Sequence, residues 1–376
     1  MLIVVSVAIL AAALIIGELT ARWWVRYRDE YYVFAPGLRI VLNLDQTAMP
    51  GFAPVHINVN CEGERGPELP ADRTSLYRVL VAGGSAAECS YLDQPDSWPG
   101  VMQSILEKPE NLARLGTARV HVGNIGKASV AGEALHVMFE KVLPRMDKVN
   151  TIVIMVGASA VLSWLQQGTP SPPRFGDLDL NDYFMKHPAH PFSFSPRHLA
   201  LIELARRVRD KRNPVKVGVG KWLIQARQMR LNALDLRTAT PDPAPVIDNF
   251  ARHFDESVKL AQQKASRVII IAQPWFQKEK YSAEEEALFW NGGAGDVITQ
   301  DVKTFYSHEV IFDLMKRIED VVLASAAKHG VESFNMHAAL EPSKENYYDH
   351  FHFTPIGSAR VARAICDIIT QGPASA

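Results

Sequence analysis

Short apolar runs alternate with longer amphipathic stretches along most of the chain. The apolar runs predict β-strands at 78–82, 119–124, 151–156, 267–272 and 331–334. The amphipathic stretches predict helices at 98–107, 130–146, 308–329 and 356–369. Strands that alternate with helices of this length indicate a three-layer α/β/α sandwich, in which helices cover both faces of a central parallel sheet of about five strands.

The N-terminal stretch has a different pattern. Residues 1–17 carry no charged side chain. The length of this uncharged run is at the short end of what spans a bilayer. A cleavable signal peptide normally begins with a basic segment, and none is present, so we predict an uncleaved membrane anchor over 1–28. Aromatic and arginine side chains typical of a membrane interface follow the apolar run, at Arg22, Trp23, Trp24, Arg26, Tyr27 and Arg28. The positive-inside rule would place these arginines, and the domain after them, in the cytoplasm.

The remaining chain is predicted to form one domain at 77–376, preceded by an irregular tether and edge segment at 29–76. An insertion at about 166–245 breaks the alternation of strands and helices and is predicted to be a helical cap without a core of its own. Within it, residues 206–230 carry nine basic side chains and one acidic one. This run is either a solvated helix-turn-helix face or a surface for anionic lipid or an acidic polymer.

Composition and charge narrow the class of function. The hydrophobic content of 47% and charged content of 22% are ordinary for a folded protein. A net charge of -1 gives no reason to expect a nucleic-acid partner. The three cysteines have no metal-ligand spacing, and no dinucleotide or metal motif is present, so we predict neither a cofactor nor a metal.

A strand, a glycine pair and a serine form the first candidate for chemistry. Gly83 and Gly84 end the strand at 78–82, and Ser85 begins a helical stretch. This order places the Ser85 hydroxyl at the C-terminal edge of the sheet and at the start of a helix, where N–H groups can stabilise an oxyanion. A serine that only caps the helix fits the same pattern.

A second candidate precedes the last predicted helix. Asp349 and His352 lie on the loop before Thr354 and Pro355, which are suited to begin that helix. In a parallel sheet this loop falls at the same edge as Ser85. An aspartate that orients a histidine, which in turn accepts a serine proton, is the logic of a catalytic triad. His350 competes with His352 as the base, and spacing alone does not choose between them.

Four separated segments together resemble the blocks of the SGNH (GDSL-type) hydrolase family. They are Gly83-Gly84-Ser85, Asn124-Ile125-Gly126, Gly157-Ala158-Ser159 and Asp349-x-x-His352, in the family's order and each at a predicted strand end or before a helix. A fifth segment, at 60–68, resembles one that is common in membrane-anchored members. The match covers about 56–165 and 265–370, and it implies an SGNH/flavodoxin-like fold with the domain outside the cytoplasm.

The resemblance also implies residue roles. Ser85 would be the nucleophile and its own N–H an oxyanion donor, with Gly126 supplying a second backbone N–H. Asp349 would hold His352, which would act as base and then as acid. The family's third oxyanion donor, an asparagine, is replaced by Ser159.

Two departures from the family pattern bear on activity. The usual aspartate after the first glycine is Gly84, which is not a triad position. Loss of one oxyanion donor costs about 3 kcal/mol in the documented protease case, so Ser159 in place of asparagine implies slow turnover. Two alternatives stay open: Asn124 supplies the missing donor, or the site is inactive.

The expected function is that of a serine esterase. We expect it to remove a small, acetyl-like acyl group from a glycan or another cell-envelope substrate, with the membrane as its second partner. An O-acyltransferase with the same serine chemistry and a non-catalytic scaffold protein are the alternatives. Three aromatic residues are candidates either for a substrate cleft or for the core: Trp275, Trp290 and Tyr306.

Overall fold

The computed structural model describes residues 1–130, 132–169 and 184–372. Its strands are β1 (Tyr31–Tyr32), β2 (Arg39–Leu44), β3 (Val55–Asn58), β4 (Leu76–Gly83), β5 (Arg119–Asn124), β6 (Val149–Val156), β7 (Met185–Lys186), β8 (Val215–Val219), β9 (Asp235–Arg237), β10 (Ala265–Ala272), β11 (Thr304–Tyr306) and β12 (Glu332–Asn335). Its helices are α1 (Leu2–Val25), α2 (Ser85–Glu88), α3 (Trp98–Leu106), α4 (Pro109–Leu115), α5 (Glu133–Val142), α6 (Ala158–Gln166), α7 (Ala200–Arg212), α8 (Lys221–Leu231), α9 (Ala244–Lys264), α10 (Ala283–Glu286), α11 (His308–His329), α12 (Met336–Ala339) and α13 (Pro355–Gln371).

Five parallel strands form the central sheet in the order β12-β10-β6-β4-β5. Counted from the first strand of this sheet, that order is 2-1-3-4-5, the flavodoxin-like arrangement. The predicted fold class is therefore confirmed. In such a sheet the crevice for a ligand lies at the carboxyl ends of the strands where the winding reverses, which here is between β4 and β6.

Strand β4 shows how both faces of the sheet are covered. Leu80 and Ala82 point into an apolar cluster with α5, α6, α9 and α11. Val79 and Val81 point into the opposite cluster, with α3 and α13. All four side chains are buried, because a central parallel strand is covered on both faces.

Capping residues mark where the helices begin and end. The side chain of Ser307 accepts the N–H of Val310 at the start of α11, and Gly330 ends that helix in the left-handed conformation, so the predicted bounds 308–329 are correct. Thr354 caps α13 as predicted. The helix predicted at 130–146 is shorter, Glu133–Val142, and continues only as a 3-10 turn over Leu143–Arg145.

A second, small sheet corrects two predictions. Strand β2 lies in the segment predicted to be irregular, and β8 lies in the basic run of the insertion predicted to be a helical cap. These strands pair in parallel, and β3 completes the sheet on the other side of β2. Its apolar side chains pack with Leu223 of α8, so the insertion does contribute to a second, minor core. Residues 170–183 of the predicted insertion lie outside the described residues, and the domain boundaries remain predictions.

Helix α1 is long and apolar enough to cross a membrane, and within the described residues it alone meets that criterion. The side chains of residues 1–16 are exposed, and burial begins at Glu18. Length and composition do not distinguish a membrane anchor from a signal sequence.

Candidate active site

The turn after β4 places Ser85 at the sheet edge. Gly83 has a φ of 150°, and a Cβ at this position would lie 1.9 Å from the carbonyl oxygen of Met155 on β6. Only glycine fits there, because the chain turns against the neighbouring strand. Ser85 then begins α2, and as the first residue of a helix its N–H has no acceptor within the helix.

A continuous chain of hydrogen bonds joins Ser85, His352 and Asp349. The Nε2 atom of His352 lies 2.8 Å from Ser85 Oγ, although the two residues are 267 positions apart. On the other side of the ring, Nδ1 lies 2.9 and 2.8 Å from the two carboxylate oxygens of Asp349. With the Nδ1 proton donated to Asp349, Nε2 is left to accept the proton of the serine hydroxyl.

The loop that carries Asp349 and His352 folds around the aspartate. Asp349 Oδ1 accepts the backbone N–H groups of Phe351 at 2.8 Å and His352 at 3.0 Å. These bonds fix the carboxylate relative to the imidazole ring on the same loop. Thr354 then caps α13, so the histidine lies directly before a rigid helix.

The surroundings shift the pKa values of Asp349 and His352 in opposite directions. Burial raises the pKa of the Asp349 carboxyl, but the charge of His352 and the hydrogen bonds to the carboxylate outweigh burial, and the pKa lies below its usual value. Burial lowers the pKa of the His352 imidazole, but the Asp349 carboxylate outweighs burial, and this pKa is raised. Asp349 is therefore held ionised, and His352 is a stronger base than an isolated histidine.

Trp290 contributes a contact that sequence reasoning missed. Its indole Nε1–H donates a hydrogen bond of 2.8 Å to Asp349 Oδ2. Trp290 also packs edge-on against Trp222, with ring centroids 5.0 Å apart. The residue was one of three aromatic candidates for the cleft. Of the others, Trp275 and Tyr306 are fully buried.

His350 faces away from Ser85. Its side chain is completely buried, and its Nε2 atom lies 3.0 Å from Nδ1 of His308. Burial first, and then the nearby charges of Arg230, His308 and His352, hold its pKa well below the usual value. Of the two histidines, His352 is the ring in contact with Ser85.

Two residues predicted as oxyanion donors are engaged elsewhere. The N–H of Gly126 donates to Asn124 Oδ1 at 2.7 Å, and the amide Nδ2 of Asn124 donates to the carbonyl of Ala87 at 2.8 Å. Asn124 is buried, and its amide ties the loop after β5 to α2. Neither Asn124 nor Gly126 lines the cavity beside Ser85 in this structure, and their roles as oxyanion donors stay predictions.

Ser129 and Ser159 both line that cavity, together with Ser85 and His352. Ser159 follows β6, as its place in the third block predicts. A Cβ on Gly84 would lie 2.9 Å from Ser159 Oγ, so the two departures from the family pattern face each other. Ser129 was not predicted. It has a φ of 65°, which is uncommon for a residue other than glycine, and no signal in the sequence points to it.

The cavity has a volume of about 410 Å³ and is partly open to solvent. Its wall combines aromatic side chains with hydroxyl and amide groups, the composition expected of a small-molecule site. Besides the serines and His352 already described, it is lined by Tyr91, Ser163, Gln166, Trp222, Trp290, Ile298 and Tyr348.

Arg65 supports the helix that carries Ser85. Its guanidinium is buried and donates to the carbonyl oxygens of Glu88 at 2.6 Å, Cys89 at 2.9 Å and Leu92 at 2.6 Å. These carbonyls belong to the last residue of α2 and to the segment after it, where a helix end leaves acceptors without partners. Arg65 thus fixes the segment directly after the candidate nucleophile.

Comparisons with known proteins give matches in structure alone. No family model matches the sequence, and no curated protein matches it. An acetylxylan esterase, Axe2, from Geobacillus stearothermophilus matches at 12% identity and a TM-score of 0.41, over 79% of this chain and 94% of the esterase. A G-D-S-L family lipolytic protein from Veillonella parvula matches at 10% identity and a TM-score of 0.42, over 78% of this chain and 99% of that protein. A lipase/acylhydrolase from Enterococcus faecalis matches at 13% identity and a TM-score of 0.39, over 80% of this chain and all of that protein.

The strand order of the central sheet is observed in this structure and does not depend on these matches. Three of the four sequence blocks follow strands of this sheet, and the fourth immediately precedes α13. In its sequence blocks and in its fold, the chain resembles the SGNH hydrolases.

Proposed function

We propose that the protein is a serine esterase of the SGNH type that removes a small acyl group, such as acetyl, from a glycan or another envelope molecule. One observation carries this proposal: the hydrogen-bonded chain Ser85–His352–Asp349 lies at the wall of an open cavity. A serine that only caps a helix needs no histidine at hydrogen-bond distance and no buried carboxylate behind it.

In the first half of the proposed reaction, Ser85 Oγ attacks the carbonyl carbon of the ester while His352 Nε2 accepts the hydroxyl proton. The carbonyl oxygen becomes an oxyanion, which the Ser85 N–H stabilises as the first donor. Collapse of this intermediate breaks the bond to the alcohol, and His352 returns its proton to the leaving oxygen. The acyl group is then held on Ser85.

In the second half, a water molecule takes the place of the alcohol. His352 accepts a proton from the water as it attacks the acyl carbon, and then returns that proton to Ser85 Oγ. The acid leaves and the hydroxyl is restored. Asp349 stays ionised throughout and stabilises the imidazolium that forms twice in the cycle.

We further propose that the cavity supplies its remaining oxyanion donors from residues other than Gly126. The N–H of Gly126 would have to leave Asn124 Oδ1 to take part. The segment that contains Ser129, and the hydroxyl of Ser159, line the cavity instead. A hydroxyl donates one hydrogen bond and rotates freely, so we expect a lower rate than an asparagine at position 159 would give.

The size and wall of the cavity favour a small acyl group on a larger polar molecule. A volume of about 410 Å³ accommodates an acetyl group and a sugar ring. The faces of Trp222, Trp290 and Tyr348 offer flat apolar surfaces, against which the C–H faces of a sugar pack. Hydroxyl and amide groups on the same wall can pair with sugar hydroxyls.

We propose that α1 is a single-pass anchor that holds the domain at the outer side of the membrane. Its exposed apolar side chains support an anchor. The outer location rests on the family resemblance alone and runs against the positive-inside rule, because three arginines follow the apolar run. Protease treatment of intact cells tests it: cleavage of the domain is expected, and full protection would place the domain in the cytoplasm.

Hydrolysis by the full chain in detergent tests the catalytic proposal. We expect release of acetate from p-nitrophenyl acetate and from an acetylated polysaccharide, with loss of at least about 10³-fold in Ser85→Ala. Equal rates in wild type and Ser85→Ala would exclude this serine as the nucleophile. Acetyl groups that arrive on an added glycan, without release of acetate, would identify an acyltransferase instead.

A further inference from the structure

The start of α7 is fastened to the base of the apolar helix α1. The carboxylate of Glu18 is buried and accepts the backbone N–H groups of Ala200 at 2.9 Å and Leu201 at 3.0 Å. The side chain of Leu201 also packs on Gly17, where an added Cβ would contact it at 3.6 Å. The first turn of α7 is therefore fixed beside residues 17–18 of α1.

This contact defines where a membrane surface would lie. The side chains of residues 1–16 are exposed, and they end directly before Glu18. If α1 crosses the bilayer, the surface of the bilayer meets the protein at about Glu18, and the first turn of α7 lies at the same level. Trp23 and Trp24 are exposed one turn farther along α1, as expected for side chains at a membrane interface.

The outward face of α7 carries an apolar residue followed by arginines. Ile202, Arg206, Arg209 and Arg212 are exposed and are spaced by four, three and three positions, so they form one stripe along the helix. Ile202, which is 42% exposed, is the member of this stripe nearest to the α1 contact. The helix carries five basic and two acidic side chains, in a protein whose net charge is -1.

A second exposed apolar side chain lies close to the same contact. Phe194 is 67% exposed, and the guanidinium of Arg22 lies 4.4 Å from the centre of its ring. A face that only met water would gain nothing from a large exposed aromatic ring. Aromatic and aliphatic side chains next to arginines are what a bilayer interface accommodates.

We propose that the exposed face of α7 docks on the surface of the membrane that α1 crosses, with Arg206, Arg209 and Arg212 in contact with anionic lipid headgroups. This inference rests on the proposed membrane anchor and is independent of the esterase activity. Two attachments, one spanning helix and one surface helix, hold the domain in a fixed orientation, so the open side of the cavity keeps a constant direction relative to the membrane.

A fluorescent label at position 202 tests the proposal in the full chain. Cys61 is the exposed native cysteine, whereas Cys89 and Cys366 are buried, so Cys61→Ser with Ile202→Cys offers a single accessible thiol. The labelled protein is reconstituted into phosphatidylcholine vesicles with and without about 30% phosphatidylglycerol. We expect quenching by lipids that carry a nitroxide near the headgroup, stronger by about twofold or more in the anionic vesicles.

Variants in which glutamine replaces basic residues distinguish a specific lipid-binding surface from general electrostatic attraction. Removal of the arginine stripe should abolish the extra quenching in anionic vesicles, and removal of three exposed bases on other helices should leave it unchanged. The test variant is Arg206→Gln/Arg209→Gln/Arg212→Gln, and the matched control is Arg114→Gln/Lys259→Gln/Lys328→Gln.

The outcomes that overturn the proposal are distinct. Extraction with alkaline carbonate removes proteins that do not span the membrane. If the chain stays in the vesicles after this treatment but the label at position 202 is not quenched, the docking of α7 is contradicted and the anchor α1 is not. Equal quenching in both kinds of vesicle, unchanged in the arginine variant, contradicts the role of anionic headgroups. A chain released by carbonate refutes the anchor and the docking together. A label that responds to a soluble polyanion, and not to anionic vesicles, identifies an acidic polymer as the partner.

Discussion

The indole N–H of Trp290 donates a hydrogen bond of 2.8 Å to Asp349 Oδ2, the oxygen that lies 2.8 Å from His352 Nδ1. Asp349 is completely buried and pairs with an imidazole that is itself mostly enclosed. Because Trp290 also lines the cavity, one side chain connects the cavity wall with the carboxylate that pairs with His352.

Replacement of Trp290 by phenylalanine keeps the ring and removes the donor. We expect kcat to fall about tenfold, because a hydrogen bond to a charged group contributes about 1.5–3 kcal/mol and the carboxylate loses one of its anchors. Trp222→Phe is the control, since Trp222 lines the same cavity and packs on Trp290. That variant should change KM more than kcat. A Trp290→Phe enzyme with unchanged kcat would show that this hydrogen bond does not position Asp349.

The raised pKa of His352 predicts a specific pH dependence. The base must be neutral to accept the serine proton, so kcat/KM should rise with pH through the pKa of His352. Because Asp349 stabilises the protonated ring, this midpoint should lie above about 6.5, the usual value for histidine. Rates measured between pH 4 and pH 9 with p-nitrophenyl acetate give the midpoint. A midpoint below the usual value for histidine would contradict a base whose pKa is raised by Asp349.

Position 159 tests the account of the oxyanion site. Loss of one such donor costs about 10²–10³ in kcat, so an asparagine that restores it should raise kcat about tenfold or more. Ser159 lines the cavity beside Ser85, so a longer side chain at this position can extend into that space. Ser163→Asn, one turn farther along α6 and in the same cavity, is the control and should have little effect. A Ser159→Asn enzyme no faster than wild type would place the oxyanion elsewhere.

Replacement of Arg65 is expected to lower both the stability of the fold and the rate of catalysis. Lysine keeps the charge but cannot reach three carbonyl groups at once, so Arg65→Lys should lower the free energy of unfolding by about 3 kcal/mol. The segment after Ser85 should also loosen, which lowers kcat. Urea unfolding and acetate release measure the two effects. Arg73→Lys, at a more exposed ion pair, should alter neither. An Arg65→Lys protein of wild-type stability would show that these contacts contribute little.

The sheet and the loops of the site can be predicted from sequence because their signals are local. A run of apolar residues such as 151–156 fits only a buried strand or a short buried helix, and the glycine after it ends it. Ser85 and His352 then follow from the geometry of parallel strands, whose ends meet at one edge. Their contact at 2.8 Å agrees with this placement, although the choice between His350 and His352 required the three-dimensional structure.

The parts that escaped prediction depend on distant partners. Strand β8 alternates over only five residues within a basic run, and its pairing with β2, 175 residues earlier at Ile40 and Val215, is what holds it in a sheet. The amide of Asn124 is one candidate for the missing oxyanion donor in the sequence, and in the structure it bonds to the carbonyl of Ala87. The indole of Trp290 was indistinguishable from a core side chain until Asp349 was placed beside it. In each case the three-dimensional partner, and not the local pattern, decides the role.

The central claim is that Ser85 is a nucleophile activated by His352, and covalent labelling tests it most directly. Full-length protein is treated with a fluorophosphonate, which reacts with activated serines, and the modified peptide is identified by mass spectrometry. The account predicts one phosphonate on Ser85, with labelling slowed strongly in Asp349→Asn and absent in Ser85→Ala. A folded protein in which Ser85 stays unmodified, or in which another serine is labelled at the same rate in Ser85→Ala, would contradict it.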